Sequence, residues 1–248
     1  MNSIKARLER VLDWLGRAAP DVVCLQEIKV VTGSFPHEEL AAAGYQSVAW
    51  GQKTYNGVAI LSRTPIDDVS RGFTGEGEED EARLIAGTIN GVRIISAYMP
   101  NGGGGEERFA YKLEWMAQLL RHLRDHESPD RPLALCGDYN IAPHDDDVAS
   151  LELFGDTPHV HPKTRQALAE LEQWGLKDVF RPFHPEGRVF SWWDYRMLGF
   201  PKNRGMRIDH VFATESLAAK CSGAHVERDE RKGKLPSDHA PVVATFDI

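Results

Sequence analysis

At 248 residues and 42% hydrophobic content the chain can bury one sizeable core, and no polar, Pro-rich or Gly/Ser-rich stretch divides it, so a single domain over 1–248 is expected. A net charge of -8 excludes a protein that holds nucleic acid by general electrostatic attraction, while leaving room for a local basic rim around a carboxylate pocket. No apolar run approaches membrane-spanning length, and the charged residues 1–10 lack the apolar stretch of a signal peptide, so a cytoplasmic, monomeric protein without a membrane partner is expected.

Ile4, Leu8, Val11, Leu12 and Leu15 recur at helical spacing, and Pro20 closes that segment. Residues 21–28 then read as a buried strand ending in the polar pair Gln26 and Glu27. A short helix is predicted at 36–43, strands at 45–50 and 57–62, and a mobile acidic loop at 74–81. Strands at 83–89 and 92–99 flank Asn90-Gly91, a strong hairpin turn. After them comes a glycine run at 101–105, where a substrate can approach backbone closely. Helical patterns at 107–126, 163–175 and 215–220 alternate with strands at 133–139, 207–213 and 242–246. Hairpin-joined strands with interspersed helices suggest an α/β (α+β) fold: two packed mixed sheets flanked by helices, a four-layered sandwich. Cys24, Cys136 and Cys221 show no paired spacing, which disfavours disulfides and zinc and predicts buried thiols in a reducing compartment.

Four apolar strands begin or end at acidic or amide side chains: Gln26-Glu27, Asp138-Tyr139-Asn140, Asp209-His210 and Ser237-Asp238-His239. Singly, each has a plain alternative: Asp138 or Asp238 can cap a turn, and Asp209 can pair with Arg207. Together they form an oxygen-rich set of the kind Mg²⁺ prefers. His239 beside a carboxylate is a candidate base, with the carboxylate fixing its tautomer. The remaining histidines, among them His122, His126, His159 and His161, read as surface residues.

These segments resemble the exonuclease III family of the endonuclease/exonuclease/phosphatase superfamily, almost end to end and in order. The matching residues begin with Asn2 to Arg7, Leu25 to Lys29, Gly51 to Lys53, Gly57 to Ser62 and Tyr98. They continue with Gly137-Asp138-Tyr139-Asn140, Ser191-Trp192-Trp193-Asp194-Tyr195-Arg196, Asn203-Arg204-Gly205-Met206-Arg207-Ile208-Asp209 and Pro236 to Pro241. The Gly-Asp-x-Asn and Ser-Asp-His signatures alone would fit any branch of the superfamily. The Trp192 and Asn203 to Asp209 segments point to its DNA-repair branch.

The resemblance implies a Mg²⁺-dependent phosphodiesterase, with Mn²⁺ a possible substitute, acting on double-stranded DNA with abasic sites or damaged 3′ ends. Its implied activities are 3′-5′ exonuclease, abasic-site endonuclease and 3′-phosphatase. It implies Glu27 as principal metal ligand, with Asp138, Asn140, Asp238 and His239 lining the metal and phosphate site. Asp209 would orient His239, Asn140 would hold phosphoryl oxygens and Tyr98 would hydrogen-bond the phosphate; whether Asp138 or His239 is the base stays open. Trp192, Met206 and Ile208 would line a pocket for a flipped-out abasic sugar, Arg204 and Arg207 would face phosphates, and Asn2, Lys29 and Asn203 would join the DNA contacts. Family members usually begin with a strand carrying Asn-x-Asn, of which only the second Asn is matched, at Asn2; the resemblance thus implies a missing first strand and an unpaired edge beside it. Two alternatives stay open: a phosphodiesterase for small or lipid phosphates, and a non-catalytic DNA-binding remnant.

Overall fold

The structure is a computed structural model and describes residues 1–77 and 80–248. Helix α1 (Ile4–Ala18) ends where Ala19 turns left-handed ahead of Pro20, and it lays Ile4, Trp14 and Leu15 on one face. Strands β1 (Val22–Gln26), β2 (Gln46–Trp50) and β3 (Val58–Ser62) form an antiparallel sheet with β3 in the middle, and α2 (His37–Ala42) lies beside β2. Among the described residues β1 is paired only to β3. The Met1 amino group and the Ser3 N–H bond to the Gln26 and Glu27 carbonyls at its end.

The larger sheet contains β4 (Asp67–Arg71), β5 (Leu84–Ile89), β6 (Val92–Tyr98), β7 (Leu133–Asp138), β8 (Leu176–Asp178) and, after the short hairpin β9 (Trp192–Trp193) and β10 (Gly205–Met206), β11 (Asp209–Thr214). Its order is β4-β5-β6-β7-β11-β8, antiparallel except for β6 and β7, which are joined by the crossover helix α3 (Glu106–His126). Strands β12 (Cys221–Val226) and β13 (Val242–Phe246) make a separate pair. Alternation along β6 shows how the layers stack. Ile94 faces the core shared with Val58 and Ile60 of the smaller sheet, whereas Ile95 faces Trp115, Leu119 and Leu123 of α3 and Leu168 and Leu171 of α5 (Pro162–Trp174). On the far side α1 packs on Val23, Leu25 and Leu61, giving helix, sheet, sheet, helix.

The expected strands and long helices form within a residue or two at most ends. Besides the two-residue strands β9 and β10, too short to show a period, three strands escaped the sequence reading: β4 (Asp67–Arg71) and β8 (Leu176–Asp178) at the edges of the large sheet, and β12 in its two-stranded pair. Such strands bury one face weakly, so their polar residues break the alternation that marks central strands. The strand expected at 207–213 starts at Asp209, because Arg207 and Ile208 lie between β10 and β11. The helix expected at 215–220 is one turn, α6 (Glu215–Ala218), and another short turn, α4 (Leu151–Phe154), precedes α5. Within the loop expected at 74–81, Glu78 and Glu79 lie outside the described residues. All three cysteines are free and only partly buried, less than expected.

Candidate active site

The register of the large sheet builds the first row of the site. Tyr98 ends β6 and pairs with Asp138 at the end of β7, which pairs with Asp209 at the start of β11. Three polar side chains thus stand side by side where apolar strands end. Gly137, preceding Asp138, has φ 145, and a Cβ there would sit 1.9 Å from the Ala97 carbonyl oxygen. Glycine is what lets β6 and β7 run close enough to make this row.

Asp209 is held by its own neighbours. Its carboxylate accepts from Ser191 Oγ at 2.6 Å, and the same hydroxyl accepts from the Ile208 and Asp209 N–H groups at 3.1 Å. So fixed, Asp209 meets His239 Nδ1 at 2.9 Å, while Nε2 lies 3.9 Å from Asp138 Oδ2. His239 reaches this place because the Trp193 N–H bonds to the Asp238 carbonyl and the Ala240 N–H to that of Ser191, pinning the Ser-Asp-His segment onto the hairpin. The expected Asp-His pair is therefore formed, and it is Asp209 with His239 rather than with Arg207.

The second group of carboxylates lies at the end of β1. Glu27 Oε1 accepts from the Tyr98 hydroxyl at 2.5 Å, and Lys29 Nζ stands 3.4 Å from Glu27 Oε2. Lys29 also donates to Asn2 Oδ1 at 2.8 Å, and Asn2 Nδ2 approaches Asp238 Oδ1 at 3.4 Å. Trp192 Nε1 donates to the other Asp238 oxygen at 3.2 Å. Glu27, Lys29 and Asn140 all adopt left-handed backbone, with φ of 55, 53 and 52. For Glu and Lys that conformation is uncommon, and such strain gathers where backbone is bent to aim side chains at a site.

Burial and neighbours divide the titrations. Burial pushes the Asp138 carboxyl up strongly, His239 opposes this, and Asp209 adds to it. For His239 burial works against the charge, but the Asp209 carboxylate and its hydrogen bond, then Asp138, hold the imidazole up at about 9. Burial would raise Glu27 too, yet the Met1 amino group, the Tyr98 hydroxyl and Lys29 keep it below the usual carboxylate range. Asp238 is likewise held down, burial being outweighed by His239 and the Met1 amino group. Burial and the nearby carboxylates push the Tyr98 hydroxyl up, so it stays protonated. Asp138, Asp209 and His239 offer ligand atoms within 4.8 Å of one another, though Nδ1 of His239 is already engaged with Asp209.

Several expectations need correction. Arg207 does not face phosphates: it is 1% exposed, donates to both Asp147 oxygens and pairs with Asp178 at 2.8 Å. His159 and His210 are not surface residues. His210 lies beneath Arg207 and donates from Nε2 to the Ile141 carbonyl, and His159 lies 3.3 Å from Asn140 Oδ1. Trp192, Met206 and Ile208 do form one apolar cluster with Val148, but Met206 and Ile208 are its buried floor, and Trp192 is partly open, as is Phe154 beside it. Asn203 accepts from Trp193 Nε1 and so braces the hairpin, while Arg204 is half-buried with no carboxylate partner among the described residues.

Sequence reasoning missed Ser191, Asn101 and Lys112. Asn101 Nδ2 donates to Asn140 Oδ1 at 2.9 Å, and Asn140 Nδ2 donates to the Met99 carbonyl. Lys112 was visible as a charge inside an apolar stripe, spaced 3, 4 and 7 residues from Trp115, Met116 and Leu119. Ser191 stood at the head of the matched 191–196 segment without a role assigned to it, and Asn101 carries no such signal.

A carboxylate row braced by hydrogen bonds, with one cationic imidazole at a shared rim, defines a hydrolase site suited to phosphate esters. Residues 1–239 match the Endonuclease/Exonuclease/phosphatase family, and the chain belongs to it. The chain is 33% identical to the exodeoxyribonuclease III of Haemophilus influenzae, over 99% of this chain and 97% of that one. Among solved structures it resembles an AP endonuclease from Archaeoglobus fulgidus (TM-score 0.95, 37% identity, covering 100% and 96% of the two chains). It also resembles the 3′ phosphatase NExo from Neisseria, solved with a product DNA hairpin (TM-score 0.94, 39% identity, 100% and 96%). Within the family, which comprises metal-dependent nucleases, this chain is a DNA-repair nuclease of the exodeoxyribonuclease III type.

Proposed function

We propose that the chain is a Mg²⁺-dependent phosphodiesterase that incises duplex DNA at abasic sites and removes nucleotides and phosphates from 3′ ends, with Mn²⁺ able to substitute. The observation that carries this reading is the Asp209-His239-Asp138 cluster sharing a rim with Glu27 and Asp238. The donor set fits a hard divalent cation: Glu27 and Asp238 offer carboxylates held below their usual range. Such a cation, held by Glu27 and Asp238 with Asp138 and Asn140 nearby, would neutralise charge growing on the phosphoryl oxygens.

The remaining steps belong to the side chains. We assign Asp138 as the base: its carboxyl is raised towards neutrality by burial, so it can take the proton of the attacking water as the new O–P bond forms, while the bond from phosphorus to the 3′ oxygen breaks and that leaving oxygen takes a proton from solvent. His239, kept cationic by Asp209, would present Nε2 to the scissile phosphate, and the Tyr98 hydroxyl and Asn140 amide would bind phosphate oxygens. The wall of Trp192, Met206 and Ile208 would receive the abasic deoxyribose, and Arg204 would contact the backbone phosphates. The protein would act as a single-domain monomer in the cytoplasm. Among the described residues no helix is long and apolar enough to cross a membrane.

The test is incubation with Mg²⁺ and two duplexes, one carrying a single abasic analogue and one a 3′-phosphate. Incision of the first and phosphate release from the second, both abolished by EDTA, are expected. Failure of both, with hydrolysis of small phosphodiesters instead, would sink the reading.

A further inference from the structure

Lys112 is 0% exposed, yet it forms no salt bridge among the described residues. Its amino group donates instead to two backbone carbonyls, Pro100 at 3.0 Å and Asn140 at 2.8 Å. Burying a lysine without a carboxylate partner is costly, burial pushing its amino group down to about 7, and holding two core carbonyls does not by itself require a lysine. The identity of those carbonyls gives the reason for its presence. Pro100 follows β6 and Asn140 follows β7, so they open the two loops that rise from the Tyr98-Asp138 row.

The sheet itself cannot hold these loops together. The last ladder bond between them runs from the Met99 N–H to the Asp138 carbonyl at 2.9 Å, and beyond it the chains separate. What spans the gap is the Asn140 side chain, which accepts from Asn101 and donates to the Met99 carbonyl, and, from behind, the Lys112 amino group. The aliphatic stem is enclosed as well: a Cβ at Gly102 would lie 2.7 Å from Lys112 Cδ, so the loop folds directly over the lysine. Asn140, in its left-handed conformation, is thereby held at its carbonyl by Lys112, at its N–H by Asp138 and at its side chain by Asn101 and Met99.

We infer that Lys112 is a positioning residue for phosphodiester hydrolysis, clamping the ends of β6 and β7 from the core side so that Asn140 and Asn101 keep their places beside Asp138. This rests on reading the rim as the phosphodiesterase site. Lys112 never touches substrate; it acts through the two carbonyls.

The experiment compares Lys112→Met, which keeps the stem and removes the charge and donors, with Met116→Ala on the same face of α3. DNA cleavage is measured with Mg²⁺ well below each variant's melting temperature and expressed per folded molecule. Lys112→Met should lower kcat about 10- to 100-fold with KM changed less than about threefold, because misplacement acts on the chemical step. Met116→Ala should lose stability and keep kcat. In the double variant Lys112→Met, Asn140→Ala, the loss should be no greater than in Asn140→Ala alone, since both act through one group. Normal kcat per folded Lys112→Met molecule, or losses that multiply, would overturn the inference. If Lys112→Met does not fold, Lys112→Gln replaces it: its amide reaches one carbonyl at most, so kcat should fall between the two, and a kcat equal to the wild type would overturn the inference. A wild-type protein that does not cut DNA would instead defeat the functional reading itself.

Discussion

Two ionic clusters flank the short segment from Arg207 to His210, and they differ in one respect. In the buried cluster, Arg207 and Arg181 face Asp147 and Asp178, and His210 accepts from Arg207 while burial, then the guanidinium, hold it down at about 4. Charges balance, and each carboxylate of the pair meets a guanidinium of the protein. At the rim, Glu27, Asp138, Asp209 and Asp238 outnumber His239 and Lys29, and burial pushes the Asp138 carboxyl up, with Asp209 adding to it against His239. A surplus of like charge survives in a fold only where something from outside completes it. Composition does not separate the two clusters, since both are built from Asp, His and a base. Closure does.

The largest expected effect tests the open cluster. Asp138→Asn should lower kcat by about 1000-fold or more, the usual contribution of a positioned base, with the fold intact by circular dichroism. Asp209→Asn should also cut kcat severely while leaving KM nearly unchanged, because the imidazole loses the carboxylate that orients and charges it. An unchanged rate in either variant would remove the distinction drawn between the clusters.

The closed cluster should respond in stability. Arg207→Met leaves Asp147 and Asp178 buried without their main partner, and urea unfolding should show a loss of about 3–5 kcal/mol. Were Arg207 a phosphate contact after all, stability would hold and the salt dependence of DNA binding would weaken instead.

Adding a divalent cation should raise the melting temperature through the open cluster, by the equivalent of about 2.7 kcal/mol at a concentration of about 100 Kd. Glu27→Gln should diminish that gain, and Asp178→Asn should not. A gain unaffected by Glu27→Gln would place the cation elsewhere.

The smallest effect is a pH dependence. His239 is held at about 9 in the fold against an ordinary 6.5. Its ion pair with Asp209 therefore stabilises fully below pH 6.5 and fades as pH rises through about 9. Without divalent cations, the stability difference between wild type and Asp209→Asn should be greatest near pH 6 and shrink above pH 9. A difference that grows with pH would contradict the charged imidazole.

The amino-acid sequence by itself determined the central strands, the long helices and the residue types at the strand ends. Alternating apolar side chains and helical spacing are local properties, and the in-order motifs from Glu27 to His239 were legible because polar groups interrupting apolar runs are conspicuous. The edge strands were not legible, because their polar residues carry no burial pattern. Only the tertiary structure decided which base each aspartate meets. Arg207 and Asp209 are two residues apart, and the sequence leaves Asp209 free to pair with either Arg207 or His239. Which it does depends on Asp147 and Asp178, the latter ending β8, arriving from distant parts of the chain to claim the arginine, and on Ser191 turning the carboxylate towards the imidazole. Partner choice in a core is settled by packing over the whole chain, and no stretch of neighbouring residues contains that information.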